Sequence, residues 1–124
     1  GPSFVATTPV ATYPPPSGLP PGAGTIVAAF STASGVEPVN CGKPTRAFCD
    51  MVAERIKGRH VVMVGDRPET DIALGKRYGW STVLVLSGVT RAADDVPAVH
   101  RADMITASIA DLDPATLLTD VGRR

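Results

Sequence analysis

His60-Val61-Val62-Met63-Val64 is a continuous apolar and largely β-branched run that ends in Gly65-Asp66, and Ser81 to Leu86 repeats the pattern one helix-length later. A run without polar alternation is what a strand covered on both faces of a parallel sheet requires. Between the runs, Glu69 and Thr70 suit the first turn of a helix, where acidic side chains complement the macrodipole, and this helix is predicted to reach about Gly79. Strand, helix and strand with short connections make a βαβ unit, which belongs to a doubly wound parallel sheet. The predicted class is α/β.

The flanking segments are read around that unit. With 124 residues and 44% hydrophobic content, one small domain with a packed core is the default expectation. Gly1-Pro2-Ser3 has the look of a cleaved-tag remnant, and Thr7 to Pro21, with Pro14-Pro15-Pro16 and Pro20-Pro21, reads as a loop or linker. Phe4 to Tyr13 is expected to be simple extended chain. Ile26, Val27, Phe30 and Ala33 recur at helical spacing, so Gly24 to Ser34 is predicted helical with Gly35 as its left-handed stop. Pro38 to Cys41 is a short lead-in to Gly42-Lys43-Pro44. Thr45 can then cap a helix carrying Phe48, Met51, Val52 and Ile56, ended by Gly58. Arg91 to Arg101 reads as a surface loop, Asp103 to Thr106 as a short edge strand, and Asp111 to Val121 as a final helix or turn.

Composition excludes several function classes. Twelve basic residues balance twelve acidic ones, so no net field would hold nucleic acid or an anionic membrane. No apolar run is long enough to cross a bilayer, and a soluble, cytoplasmic protein is expected. Cys41 and Cys49 make no CxxC pair and have no histidine at zinc-finger spacing, which favours buried thiols over a zinc site or disulfide.

The residues with chemical potential lie at predicted strand ends. In open α/β sheets ligands bind beyond the carboxyl ends of strands, which is where Asp66 falls. A hard cation such as Mg²⁺ takes carboxylate oxygens and keeps several waters, so Asp66 can be a ligand. Asp71 can then bind through water or orient the loop. The plainer alternative makes Asp66 a polar turn residue and Asp71 a helix cap. Lys43, between Gly42 and Pro44, can reach a phosphoryl oxygen or a carboxylate nucleophile, although most lysines are simply solvated. Arg46 and Arg67 are read as surface residues, Tyr78 and Trp80 as packing aromatics, and His60 and His100 carry no assigned role.

Gly42-Lys43-Pro44, then Val64-Gly65-Asp66-Arg67-Pro68-Glu69-Thr70-Asp71-Ile72, then Thr82 to Leu86 with Ser87-Gly88-Val89-Thr90 resemble the haloacid dehalogenase superfamily. The subfamily most resembled contains the nitrophenyl-phosphate, phosphoglycolate, glycerol-phosphate and pyridoxal-phosphate phosphatases. Pro21-Gly22-Ala23-Gly24-Thr25 resembles the return from that subfamily's cap into its core. The resemblance implies a Rossmannoid core of which residues 22–124 are the C-terminal part, preceded over residues 1–21 by the tag remnant and cap-to-core linker. It implies Lys43 as the catalytic lysine, with Gly42 beside the substrate phosphate, and Asp66 with supporting Asp71 as the Mg²⁺ aspartates. Such enzymes attack a small phosphorylated metabolite with an aspartate on an earlier strand.

That nucleophile motif, Asp-x-Asp-Gly-Thr or similar after an apolar strand, does not occur in this sequence. Asp111-Leu112-Asp113 is followed by Pro114 and lacks a robust strand before it, so it is read as a decoy. Pro68 occupies the place where a general acid following Asp66 would stand. Relatives continue the Phe4 to Thr8 segment with asparagine and an acidic residue, where Thr8, Pro9 and Val10 stand here. The expected function is therefore part of a Mg²⁺-dependent phosphomonoesterase, inactive alone and completed by a missing N-terminal half. The alternative is a non-catalytic half-domain that self-associates, as a homodimer, or binds a partner. A flavodoxin-like or receiver-like module would leave Gly42-Lys43-Pro44 unexplained.

Overall fold

A computed structural model of the chain describes residues 3–13, 20–57, 60–93 and 96–121. The tag-like Gly1-Pro2, the triple proline from Pro14, the helix-ending Gly58 and residues 94–95 of the expected surface loop lie outside them. The chain separates into two compact units, Gly1–Asp50 and Met51–Arg124.

The first unit holds β1 (Val5–Ala6), α1 (Ala23–Ser34) and β2 (Val39–Asn40), and α2 (Arg46–Arg55) begins in it. The expectation of simple extended chain from Phe4 to Tyr13 is corrected here. β1 pairs in parallel with β2, with Val5 opposite Val39 and Ala6 opposite Asn40. Two-residue strands carry too little periodicity to be seen in sequence. The following segment folds back on itself, because Gly22 and Gly24 donate backbone hydrogen bonds to Ala11 and Val10 at 2.7 and 2.8 Å. Gly35 closes α1 at φ 67°, a left-handed conformation that glycine adopts without a Cβ penalty. The α1 stripe that announced the helix points largely outward, with Ile26 and Phe30 63% and 62% exposed. Phe30 meets the ring of Phe4 edge-on at 6.4 Å.

In the second unit, β3 (Val62–Gly65), β4 (Ser81–Val85) and β5 (Met104–Thr106) form a parallel sheet in the order β3-β4-β5. The α/β class with a parallel sheet is thus present. β4 is central and buried, as its Thr-Val-Leu-Val run demands. β3 departs from expectation. It starts at Val62 rather than His60, and all four of its residues are only half-buried, because it is the edge of this sheet. Ile72, Leu84 and Val96 form the core, joined by Leu86, Ala102 and Ile105. Val96 corrects the reading of Arg91 to Arg101 as a plain surface loop: its side chain is buried. The predicted helix after β3 opens as a π-type turn, Pro68–Ile72, and continues as α3 (Ala73–Arg77). Proline at its start is compatible with this, since the first helical amide has no intrahelical acceptor. The last helix is the short α4 (Leu117–Val121). Cys49 is buried as expected, whereas Cys41 is half-exposed. Among the described residues no helix is long and apolar enough to cross a membrane.

Asp103 ties the start of β5 to β4. It accepts from the Thr82 amide at 2.8 Å and the Thr82 hydroxyl at 2.7 Å, and its other oxygen meets the Lys76 ammonium at 3.2 Å. Burial pushes the Asp103 carboxyl up, but the Thr82 bonds and the Lys76 charge outweigh it and hold the pKa below its ordinary value. A carboxylate lowered in the folded state stabilises above its unfolded pKa, and that contribution is lost as pH falls through the folded one. Asp103→Asn is therefore expected to lower the melting temperature at neutral pH and to flatten its decline between about pH 5 and pH 2. Thermal unfolding followed by circular dichroism checks this, and parallel pH profiles for the two proteins would contradict it.

Candidate functional site

β3 delivers Gly65-Asp66 at its carboxyl end, and the aspartate is half-buried there. Its Oδ2 accepts from the Val89 amide at 2.8 Å, and its carbonyl accepts from the Thr90 amide at 3.2 Å. Both donors belong to the turn that follows β4, the strand paired with β3. A Cβ placed on Gly88 would overlap the Asp66 carboxylate, so only glycine lets the turn approach this closely.

Asp71 lies inside the π-type turn and is 4% exposed. Its Oδ2 accepts from the Arg67 amide at 3.2 Å, which ties it to the residue directly after Asp66. Its side chain occupies the space where a Cβ on Gly65 would stand. Sequence offered Asp71 as metal supporter or as helix cap, and a hydrogen bond from the amide of Arg67, the residue that caps this turn, fits either reading. Asp66 and Asp71 thus flank one short turn, each accommodated by a glycine without a side chain. Two hard carboxylates at a strand end suit a Mg²⁺ site that draws further oxygens from water and phosphate. Among the described residues no group of three or more His, Cys, Asp or Glu side chains gathers as a complete metal-binding set.

Lys43 stands in the first unit, exposed, beyond the carboxyl end of β2. The Lys43-Pro44 peptide is cis. Gly42 is buried, donates to Asn40 Oδ1 at 2.9 Å, and leaves no room for a Cβ against the Thr7 carbonyl. Thr45 stands directly before α2, where its carbonyl accepts from the Cys49 amide at 3.0 Å, and its hydroxyl donates back to the Gly42 carbonyl at 2.6 Å. The Gly-Lys-Pro turn is therefore braced on both sides, which presents the ammonium on a fixed backbone.

The other sequence candidates resolve simply. Arg46 is a surface residue paired with Asp50 at 3.2 Å. Tyr78 and Trp80 pack on each other with ring centroids 5.3 Å apart. Asp111 closes a capping box with Ser108, and Asp113 accepts from the Ala115 amide at 2.9 Å, so both serve local turns. Sequence reasoning gave no role to Gly88 and Val89. The available signal was a glycine directly beyond a strongly apolar strand.

The HAD-hydrolase-like family model matches residues 40–112, more than half of the chain. A dihydroxyacetone phosphatase of Corynebacterium glutamicum is 39% identical over 114 residues, which cover 90% of this chain and 42% of that protein. A hypothetical protein of Pyrococcus horikoshii superposes with a TM-score of 0.73 at 39% identity, covering 88% of this chain and 42% of its own. Glycerol phosphate phosphatase of Mycobacterium tuberculosis, solved in complex with magnesium, superposes with a TM-score of 0.68 at 37% identity, over 86% of this chain and 33% of its own. The same protein has been solved with calcium. The chain spans less than half the length of these relatives. With the family model matched across the lysine, both aspartates and the parallel sheet, this chain belongs to the haloacid-dehalogenase-like hydrolases, in the branch of the subfamily IIA phosphatases.

Proposed function

We propose that the chain supplies the metal and lysine side of a Mg²⁺-dependent phosphomonoester hydrolase whose aspartate nucleophile comes from a segment outside these residues. The observation that carries this reading is the pair Asp66 and Asp71 at the carboxyl end of β3, each fitted against a glycine. Asp66 would hold the ion, and Asp71 would keep the Asp66 loop in place through the Arg67 amide. When bound, Mg²⁺ would neutralise phosphoryl charge. Lys43 would offset the negative charge shared by the nucleophile and the phosphoryl group, next to the Gly42 backbone. The activities of the relatives, dihydroxyacetone phosphatase and glycerol phosphate phosphatase, support a small phosphorylated metabolite as substrate.

The partner in this reading is an N-terminal half, for which the relatives' greater length leaves room. The outer edge of β3, half-buried and apolar, is suited to accept a further parallel strand, whose carboxyl end would then lie beside Asp66. Mixed with phosphomonoesters and Mg²⁺, the chain alone is expected to release no phosphate above buffer. Addition of a polypeptide carrying the nucleophile strand is expected to start release. Turnover by the chain alone, or a stable but inactive complex of the two, would refute the proposal.

A second reading, a non-catalytic half-domain that forms a homodimer, is favoured by the same open edge and by the exposed Ile26, Phe30 and Val39. Light scattering separates the two: a stable monomer removes the second reading.

A further inference from the structure

We infer that the Asn40 side chain is a positioning residue for Lys43: together with Thr45 it locks the glycine on which the lysine turn is built. The inference rests on the phosphoryl-transfer reading of Lys43 above and deepens it.

A Cβ at position 42 would overlap the Thr7 carbonyl at the end of β1, so the close approach of the two strand ends requires Gly42. The same glycine would leave Lys43 on the freest link of the chain, because a residue without a Cβ has the widest choice of φ and ψ. Two side chains remove that freedom. The amides of Val39 and Cys41 point at β1, where they donate to the Phe4 and Ala6 carbonyls at 2.9 and 2.7 Å. Alternation along the strand turns the Gly42 amide away from β1, and there Asn40 Oδ1 accepts from it at 2.9 Å. The Gly42 carbonyl is held in turn by the Thr45 amide at 2.8 Å and the Thr45 hydroxyl at 2.6 Å.

A residue's N–H belongs to the rigid peptide plane before it and its carbonyl to the plane after it. With both tied, the φ and ψ of Gly42 are set, and the backbone of Lys43 leaves the glycine in one direction. The two ties differ in what remains when they are cut. Without the Thr45 hydroxyl the Gly42 carbonyl keeps the Thr45 amide, whereas without the Asn40 side chain the buried Gly42 amide has no other acceptor among the described residues. A buried N–H that loses its acceptor drives the backbone to rotate until it finds another or reaches water. Asn40 is therefore the tie on which the placement of Lys43 depends most.

In the isotope-labelled chain alone, followed by NMR, Asn40→Ala is expected to speed hydrogen exchange of the Gly42 amide about tenfold. Exchange of the Cys41 amide, bonded to the Ala6 carbonyl, should stay unchanged. Asn40→Ser should fall between, since a serine hydroxyl makes the same local bond more weakly. In the chain combined with the N-terminal segment, Asn40→Ala is expected to lower kcat about tenfold with KM nearly constant. It should cause no further loss once Lys43 is replaced by alanine, because it acts through that lysine. Unchanged Gly42 exchange, equal loosening at Cys41, unchanged kcat, or a kcat loss that persists in full in the Lys43→Ala background would overturn the inference and leave the lysine reading standing. Near-normal kcat in Lys43→Ala, or combined chains without turnover, would overturn that reading and the inference with it. If Asn40→Ala does not fold, Asn40→Ser carries both measurements: smaller shifts of the same sign are expected, and no shift would overturn the inference.

Discussion

Asp66→Asn is expected to lower kcat/KM of the completed enzyme by about 10³-fold, with circular dichroism and melting temperature nearly unchanged. The amide keeps the size of the carboxylate and one oxygen that the Val89 N–H can still bond, so the turn at the end of β3 has no reason to collapse. What changes is charge. A neutral carboxamide is a poor ligand for a hard dication, and without the ion the phosphoryl charge of the substrate goes uncompensated. The surroundings of Asp66 are specifically arranged, with a glycine cleared for its carboxylate, one amide directed at that carboxylate and another at its carbonyl. Steady-state kinetics at saturating Mg²⁺ provide the check, and a loss under tenfold would mean that Asp66 is a turn residue only.

Lys43→Ala is expected to reduce kcat by about 10²-fold, with a smaller effect on KM, since the ammonium acts on charge that grows as the phosphoryl group transfers. The substitution removes an exposed side chain, while Gly42 and Thr45 keep the turn braced through their own hydrogen bonds. Lys43→Arg should recover only part of the rate, because a planar guanidinium does not replace a compact ammonium. An Ala variant with near-normal kcat would return Lys43 to the class of solvated lysines.

These two positions stood out in the sequence as candidates for different reasons. Asp66 ends an apolar strand, and the rule that ligands lie beyond carboxyl ends makes it a candidate beside the plainer reading as a turn residue. Lys43 became legible through the order Gly-Lys-Pro, Gly-Asp and strand, which carries the family resemblance. The sheet was legible where apolar residues run continuously, as in β4, because burial on both faces leaves no room for polar alternation. β1 was not, since two paired residues carry no period, whereas β2 was hinted at by the apparent strand-to-helix turn at Gly42-Lys43-Pro44. Val96 was hidden by charged neighbours, because a single core side chain in a polar loop leaves no pattern to read. The glycines mark the sharper limit. Gly65 and Gly88 announce turns in the sequence, but their clearance for Asp71 and Asp66 is a contact in space, and for Gly88 the partner lies on a different strand connection.

The central claim is that this chain brings the lysine and metal aspartates while the nucleophile comes from elsewhere. The direct measurement is to combine the chain with the N-terminal segment, add a phosphomonoester labelled in its phosphoryl group, quench in acid, and locate the acyl-phosphate. The label is predicted on an aspartate of the added segment and nowhere on this chain. Label on Asp66, Asp111 or Asp113 would contradict the account.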